Sequence, residues 1–140
     1  MPSPKLDPYL TFNGNCAEAF EYYRVHLGAK IESIMPFKDS PMAGDMPPEH
    51  QNRTLHAKLL LDGQVLMASD APPNVPFTGM HGFSLSLNYP TVAKAKAIFE
   101  ALSAGGSIMM PFGKTFWAEG FSMFSDRFGV PWMVGCEKES

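Results

Sequence analysis

Residues Gly120–Val134 read Gly-Phe-Ser-Met-Phe-Ser-Asp-Arg-Phe-Gly-Val-Pro-Trp-Met-Val and predict a β-hairpin. Before the turn, the side chains alternate between two unlike sets, as in a strand whose two faces differ. Asp126 and Gly129 bound the turn, because an Asp side chain bonds to backbone two residues on and Gly accepts a positive φ. Pro131 has no N–H group to donate and therefore belongs at the start or edge of the closing strand. Trp132 then carries the largest side chain of the hairpin into a core.

The same hairpin carries a resemblance to a known family. Its pattern Asp-x-Phe-Gly-x-x-Trp, residues 126–132, resembles the closing hairpin of the vicinal-oxygen-chelate superfamily, which includes glyoxalases, bleomycin-resistance proteins and extradiol dioxygenases. The PhnB-like branch is the most similar, although Arg127 stands where that branch usually has Pro. The resemblance implies a fold of paired βαβββ units and leaves the reaction open.

The composition indicates one globular domain, residues 1–140. Hydrophobic residues make up 45% and charged residues 18% of the chain, a balance far from that of disordered proteins. The net charge is −3 and Lys and Arg form no cluster, so we expect no nucleic-acid partner. No apolar run reaches the roughly 18 residues of a membrane span, and the N-terminus lacks a signal-peptide core. We therefore expect a cytoplasmic protein with no membrane partner.

The first half of the chain predicts the order strand, helix, strand, strand, strand. The elements are a strand over Pro8–Asn13, a helix from Asn15 to Gly28, and strands over Lys30–Phe37, Arg53–Leu61 and Gln64–Ser69. Asn15 is predicted to cap the helix together with Glu18, and Gly28 is predicted to end it. Asp62-Gly63 predicts a tight hairpin turn. Lys38–Asn52, which contains three Pro, is interpreted as a long loop.

The second half repeats this order. Its elements are a strand over Gly82–Asn88, a helix over Thr91–Ala104, a strand over Ser107–Phe112 and the closing hairpin. Tyr9 matches Ser84 at an offset of 75, and Met67 matches Met133 at an offset of 66. We interpret this as an internal duplication, with module one at about residues 5–70 and module two at about 80–138. The predicted fold is α+β: two βαβββ modules form a curved, cleft-forming mixed sheet with both helices on its outer face.

Alternation along the strands assigns one set of side chains to the helices and the other to the cleft. Leu10 and Phe12 are assigned to the helix side, and so their neighbours face the cleft. Ser122 and Phe124 join the cleft set because the repeat matches them to His56 and Lys58. The predicted ligand-binding residues are Tyr9, Thr11, His56, Lys58, Met67, Ser84, Ser86, Trp117, Ser122, Phe124 and Met133. Such a mixed lining suits a mid-sized organic ligand with few polar groups.

The resemblance also implies a test for a metal site, since glyoxalase-type relatives hold a divalent ion with His and Glu from four strands. Three of those positions carry poor ligands for such an ion: Tyr9, Leu66 or Met67, and Met133. His81 lies one residue from the fourth position. Hard divalent ions prefer oxygen and imidazole to thioether sulfur. We therefore predict no metal and no cofactor.

His56 is the best remaining polar candidate for chemistry. It is either an acid, base or hydrogen-bond donor to a ligand, or a histidine bonded within the sheet. Ser84 and Ser86 lack the Gly-x-Ser-x-Gly setting of a nucleophile, so covalent catalysis is not favoured. The first hypothesis is a binding protein for a small organic molecule, with little or no catalysis. The alternatives are a metal-dependent lyase, isomerase or dioxygenase with a displaced ligand set around His56 and His81, and an interaction module without a ligand.

PhnB-like proteins often carry the label demethylubiquinone methyltransferase, and the sequence does not support that reaction. Gly105-Gly106 follow a predicted helix, whereas a nucleotide-binding glycine loop follows a strand and opens a helix.

Two cysteines and two aspartates are interpreted as structural. Cys16 and Cys136 lie near opposite ends of the chain, outside any CxxC motif, and are predicted to be reduced thiols. Asp70 and Asp126 are predicted to be turn residues rather than ligands.

Several large apolar side chains occur where local patterning does not bury them. Phe112, Phe116 and Trp117 lie in or beside one loop, and Met42 and Met46 lie in another. Exposed aromatic and Met side chains in this number are typical of an interface. We predict a two-fold homodimer in which Trp117 and Phe112 approach the partner's cleft; the alternative is that these loops close over their own cleft.

Overall fold

The computed structural model of the protein describes residues 3–137. The chain divides into two compact units, the first ending at Thr78 and the second beginning at Gly79. This division falls between the predicted modules, whose final residue, 138, lies outside the described residues. Each unit has one helix and four strands in the order βαβββ, which confirms the predicted α+β fold. Among residues 3–137, no helix has the length and apolar character needed to cross a membrane.

The first unit forms a four-stranded mixed sheet with one helix packed on it. Its elements are β1 (Tyr9–Phe12), α1 (Cys16–Leu27), β2 (Lys30–Pro36), β3 (Thr54–Leu61) and β4 (Gln64–Asp70). The strand order is β1-β4-β3-β2, with β1 parallel to β4 and the other neighbours antiparallel. The buried side chains alternate along the strands and recur along α1: Leu10, Phe12, Phe20, Tyr23, Ala57 and Leu59. This apolar set places α1 on one face of the sheet.

The start of α1 differs from the prediction. Within the described chain, the Asn15 side chain makes no capping hydrogen bond. Asp70, at the end of β4, takes this role instead: its Oδ1 accepts from the N–H groups of Gly14 (2.8 Å) and Cys16 (3.1 Å). Its Oδ2 accepts from the N–H of Thr54 at 2.8 Å. A buried carboxylate with three backbone donors at a helix N-terminus is a stronger acceptor than a neutral amide, so the prediction of a turn role for Asp70 is wrong.

The long connection between β2 and β3 is more ordered than the predicted loop. It contains three short 3₁₀ turns, Phe37–Asp39, Ala43–Asp45 and Pro48–His50. The Gln51 side chain donates to the carbonyl oxygens of Ala43 (2.8 Å) and Met46 (2.9 Å), joining two of these turns. Backbone bonds from Phe37 N to Arg53 O (2.9 Å) and from Lys38 N to Gln51 O (3.0 Å) close its base.

The second unit repeats the architecture of the first. Its elements are β5 (Leu85–Asn88), α2 (Val92–Ser103), β6 (Ser107–Gly113), β7 (Ala118–Ser125) and β8 (Pro131–Glu137). The strand order is β5-β8-β7-β6, with β5 parallel to β8 and the other neighbours antiparallel. The Thr91 side chain caps α2 by accepting from Lys94 N at 3.2 Å.

The closing hairpin agrees with its prediction. Asp126 Oδ1 accepts from the N–H groups of Phe128 (2.9 Å) and Val130 (3.0 Å), and Gly129 has a φ of 87°. Pro131 is the first residue of β8. Trp132 is 3% exposed and donates its indole N–H to Asp126 Oδ2 at 2.9 Å. The turn and the core are thus joined through one carboxylate.

Candidate functional site

The far face of the first sheet, meaning the face opposite α1, carries most of the polar candidates. Its residues include Tyr9, Thr11, Met35, His56, Lys58 and Met67. Neighbouring strands place Tyr9 beside Met67, Met67 beside Lys58, and Met35 beside His56. Residues paired across a sheet share a face, so these side chains lie together on one surface.

Tyr9 and His56, on two different strands, make a polar contact on this surface. The Tyr9 hydroxyl lies 3.4 Å from His56 Nδ1, and the ring centroids are 5.9 Å apart. Tyr9 is 50% exposed and His56 is partly buried. In one histidine tautomer Nδ1 accepts the hydroxyl proton and Nε2 carries the ring hydrogen. In the other, Nδ1 donates to the hydroxyl oxygen and the tyrosine O–H is left unused.

Lys58 has an anionic partner on the neighbouring strand. Its Nζ lies 3.2 Å from Glu32 Oε2, with side-chain exposures of 35% and 45%. An ion pair this exposed contributes at most about 1 kcal/mol, since water screens it. The lysine is therefore held loosely and can exchange partners.

The far face of the second sheet, opposite α2, is mostly hydroxyl and thioether. Ser86 pairs with Met133, and Met133 pairs with Met123. Ser84 lies just before β5 and is partly buried. Phe121 precedes Met123 by two residues and so shares its face.

Two residues assigned to the cleft lie on the opposite side of this sheet. Ser122 and Phe124 are fully buried. The Ser122 hydroxyl donates to the carbonyl oxygen of Val134 at 2.8 Å, and the Phe124 ring packs against Phe99 of α2 with centroids 5.6 Å apart. Their assignment to the ligand-facing set is wrong.

The cause of this error is the length of one turn. In the first hairpin Leu61 pairs with Gln64, leaving a two-residue turn. In the second, Asp126 N donates to Val130 O at 2.9 Å, leaving a three-residue turn. The offset of 66 that matches Met67 to Met133 therefore falls to 65 before the turn. A shift of one residue moves every side chain to the other face, so Phe121 and Met123 correspond to His56 and Lys58.

Trp117 belongs to an aromatic group beside the far face of the second sheet. Its ring packs edge-to-face on Phe116 (4.7 Å between centroids) and on Phe121 (5.3 Å). Trp117 is 48% and Phe116 is 86% exposed. Phe112 lies in β6, as the predicted strand implies, and packs against Phe99 of α2 with ring centroids 5.9 Å apart rather than joining Phe116 and Trp117 in the loop.

The His and Glu ligand set implied by the family resemblance does not fit the side chains present. Across residues 3–137, no group of three or more His, Cys, Asp or Glu side chains is placed to hold a metal ion. The register puts Tyr9 beside Met67 and Ser86 beside Met133 at the corresponding strand positions. Hydroxyl and thioether groups are weak ligands for hard divalent ions. The absence of a metal remains a prediction.

The buried thiol of Cys16 has low reactivity as a nucleophile. Burial and, less strongly, the Asp70 carboxylate together raise its pKa from 9.0 to about 12, although a hydrogen bond with the Thr54 side chain opposes the shift. Within the described chain, Cys16 and Cys136 are both buried free thiols. A thiol that stays protonated at neutral pH is a poor nucleophile, which agrees with a structural role.

Comparison with known proteins covers nearly the whole chain. The model of the Glyoxalase/Bleomycin resistance protein/Dioxygenase superfamily matches residues 5–134. Protein YjdN of Escherichia coli (strain K12) is 36% identical over 142 residues, and the match covers 96% of each chain.

Two solved structures share the fold. Protein PA1353 from Pseudomonas aeruginosa is 49% identical with a TM-score of 0.90, over 98% of this chain and 100% of that one. A Bacillus cereus protein described as a putative 3-demethylubiquinone-9 3-methyltransferase, PhnB protein, is 27% identical with a TM-score of 0.80, over 95% and 99% of the two chains. The resemblance drawn from the closing hairpin is thus confirmed. The chain belongs to the glyoxalase/bleomycin resistance protein/dioxygenase superfamily and has a PhnB protein among its structural neighbours.

Proposed function

We propose that this protein binds a small organic molecule on the far face of its first sheet, with little or no catalysis. The observation that supports this most directly is the Tyr9–His56 contact, which places two polar rings beside Met67 on one surface. Lys58 lies on the other side of Met67. A few polar groups around an apolar centre are typical of sites for small molecules.

The chemistry of these residues favours binding over the reactions of the wider superfamily. Met67 occupies a position where the family resemblance implies a carboxylate ligand, and Lys58 is paired with Glu32. His56 contacts a neutral hydroxyl rather than a carboxylate that would orient it as a base. We propose no methyl transfer, because Gly105-Gly106 follow α2, whereas a nucleotide-binding glycine loop follows a strand and opens a helix.

A ligand screen tests the proposal. Thermal shift and native mass spectrometry with a library of small aromatic and aliphatic molecules are expected to find compounds that stabilise the folded protein. Binding stabilises the native state by RT ln(1 + [L]/Kd), so a ligand at 100 times its Kd raises the unfolding free energy by about 2.7 kcal/mol. His56→Ala and Tyr9→Phe are expected to weaken that shift, and Lys94→Ala, on α2, serves as the matched control. Stabilisation by Ni²⁺, Zn²⁺ or Mn²⁺ but by no organic compound would instead support a metal-dependent lyase, isomerase or dioxygenase.

We also propose that the protein forms a homodimer. The second unit exposes a set of large apolar side chains on or after its edge strand β6: Ile108, Met109, Met110, Phe116 and Trp117. Free surfaces seldom concentrate so many, and a second copy of the chain is the commonest way to cover them.

A further inference from the structure

We propose that the ligand of the first far face carries a carboxylate and lays its apolar body on Met67. This inference rests on the proposed function and narrows it to one chemical class. It follows from the hydrogen-bond donors around Met67 and from the ion pair between one of them, Lys58, and Glu32.

Met67 lies at the centre of the surface. Its backbone neighbours across the sheet are Tyr9 on β1 and Lys58 on β3. It is partly buried, so part of the thioether side chain remains accessible. A flexible, polarisable side chain of this kind packs against rings and aliphatic groups of varied shape.

The Tyr9–His56 pair leaves one hydrogen-bond donor unused in either tautomer. If the Tyr9 hydroxyl donates to His56 Nδ1, the ring hydrogen on Nε2 is available. If Nδ1 donates instead, the tyrosine hydroxyl hydrogen is available. Either arrangement presents a donor beside the apolar surface, and a donor calls for an oxygen acceptor on the ligand.

Lys58 adds a positive charge beside these donors, and among residues 3–137 its ion-pair partner is Glu32. Their 3.2 Å ion pair is exposed to solvent on both sides, which keeps it weak. A carboxylate on the ligand would accept from Lys58 and from the Tyr9–His56 pair together, and charge-assisted hydrogen bonds are about twice as strong as neutral ones. Glu32 would then act as a competitor that the ligand displaces.

The experiment compares benzoate with benzamide, its neutral counterpart of nearly the same shape. Binding is followed by NMR through the ε-methyl signal of Met67 in methionine-labelled protein. Benzoate is expected to bind about tenfold more tightly than benzamide. Lys58→Gln is expected to abolish this preference, whereas Glu32→Gln is expected to strengthen benzoate binding about threefold, because it removes the competing carboxylate. Lys94→Gln, on the helix of the other unit, is the control and is expected to leave both affinities unchanged.

The contrary results would overturn the carboxylate assignment, and each can be distinguished from a failure of the proposed function. Equal binding of the two probes, or a preference that persists in Lys58→Gln, shows that charge is not recognised here, while binding on this face stands. A weaker benzoate affinity in Glu32→Gln shows that Glu32 is not a competitor. If neither probe shifts Met67, the carboxylate assignment fails, and the screen of neutral and charged compounds decides the proposed function on its own.

Discussion

A single carboxylate, Asp126, joins the turn of the closing hairpin to the core of the second unit. It accepts from the backbone N–H groups of Phe128 and Val130 with one oxygen and from the Trp132 indole with the other. Because Asp126 is 3% exposed, each of these bonds also offsets the loss of its hydration. The tryptophan therefore contributes both packing and a partner for a buried charge.

Trp132→Ala is expected to lower the free energy of unfolding by roughly 3–5 kcal/mol, since it opens a cavity and removes a partner of Asp126. Urea denaturation followed by circular dichroism measures the change. Trp117→Ala is the matched control: Trp117 is 48% exposed, and the monomer should lose about 1 kcal/mol or less. A loss below about 1 kcal/mol for Trp132→Ala would contradict the packing described for β8.

Cys16 is expected to resist 5,5′-dithiobis(2-nitrobenzoate) at pH 8 in the folded protein and to react once guanidinium unfolds the chain. The reason is its pKa, which burial and the nearby Asp70 raise to about 12. The measurement is made in a Cys136→Ser background, so that absorbance reports one thiol. Rapid labelling of the native protein would show that the Cys16 site is open.

The same pKa predicts a decline in stability at alkaline pH. A thiol whose pKa is higher in the folded than in the unfolded state stabilises the fold fully below the unfolded-state pKa. That contribution is lost as pH rises from about 9 towards 12. The urea midpoint should therefore fall more steeply between about pH 9 and 12 in the parent protein than in Cys16→Ala.

At the scale of elements, the two hairpins show how turn length sets the chemistry of a sheet face. Their closing strands, β4 and β8, correspond at Met67 and Met133, yet the strands before the turns differ by one residue in register. The first far face therefore carries His56 and Lys58, and the second carries Phe121 and Met123. At these two positions the first far face is therefore ionisable and the second is apolar.

Gly106→Ala is expected to disrupt the junction between α2 and β6. A Cβ at Gly106 would lie 2.0 Å from the carbonyl oxygen of Ser125 and 2.8 Å from the carbonyl carbon of Asp126, both backbone atoms that cannot turn aside. We expect a loss of roughly 2–4 kcal/mol in thermal or urea unfolding.

Gly113→Ala is the control for this prediction. A Cβ at Gly113, at the end of β6, meets no atom nearer than the Pro111 carbonyl oxygen at 4.0 Å, and this change should be within about 0.5 kcal/mol of neutral. If Gly106→Ala lowered stability no more than Gly113→Ala, the backbone at Gly106 could move away from Ser125 and Asp126 without loss of stability.

At the scale of the whole molecule, the proposed homodimer makes the clearest prediction. Light scattering at micromolar concentration should give a mass near twice the 15.4 kDa of the chain. Trp117→Ala and Phe116→Ala remove exposed aromatic surface and should raise the dimer dissociation constant about tenfold or more, as expected for aromatic residues within an interface. Val25→Ala, an exposed apolar change on α1 of the other unit, is the control. A single species of 15.4 kDa at all concentrations would rule out the dimer.

Periodicity and turn residues were sufficient for most of the fold. Alternation along β1 and β3 assigned Tyr9, His56 and Lys58 to one face, because burial of alternate residues leaves a strong pattern in a strand. The glycine that ends α1 and the Asp-Gly turn were also predictable, because both positions require a positive φ: Gly28 has a φ of 70° and Gly63 a φ of 80°.

Other features depended on residues distant in sequence. Asp70 caps a helix that begins 54 residues earlier in the chain. The local sequence pattern predicted Asn15 as the cap, because such a pattern includes only residues adjacent to the helix. Ser86 keeps the face predicted from the repeat, because the ladder pairs Tyr9 with Met67 and Ser86 with Met133, a shift of two residues that preserves side-chain direction. Ser122 and Phe124 lie on the face opposite to the predicted one, because one added turn residue reverses the direction of their side chains. The alternation of side chains between the two faces of a strand is a local property that the periodicity of the sequence shows. Register between strands depends on hydrogen bonds that form only when the chain is folded.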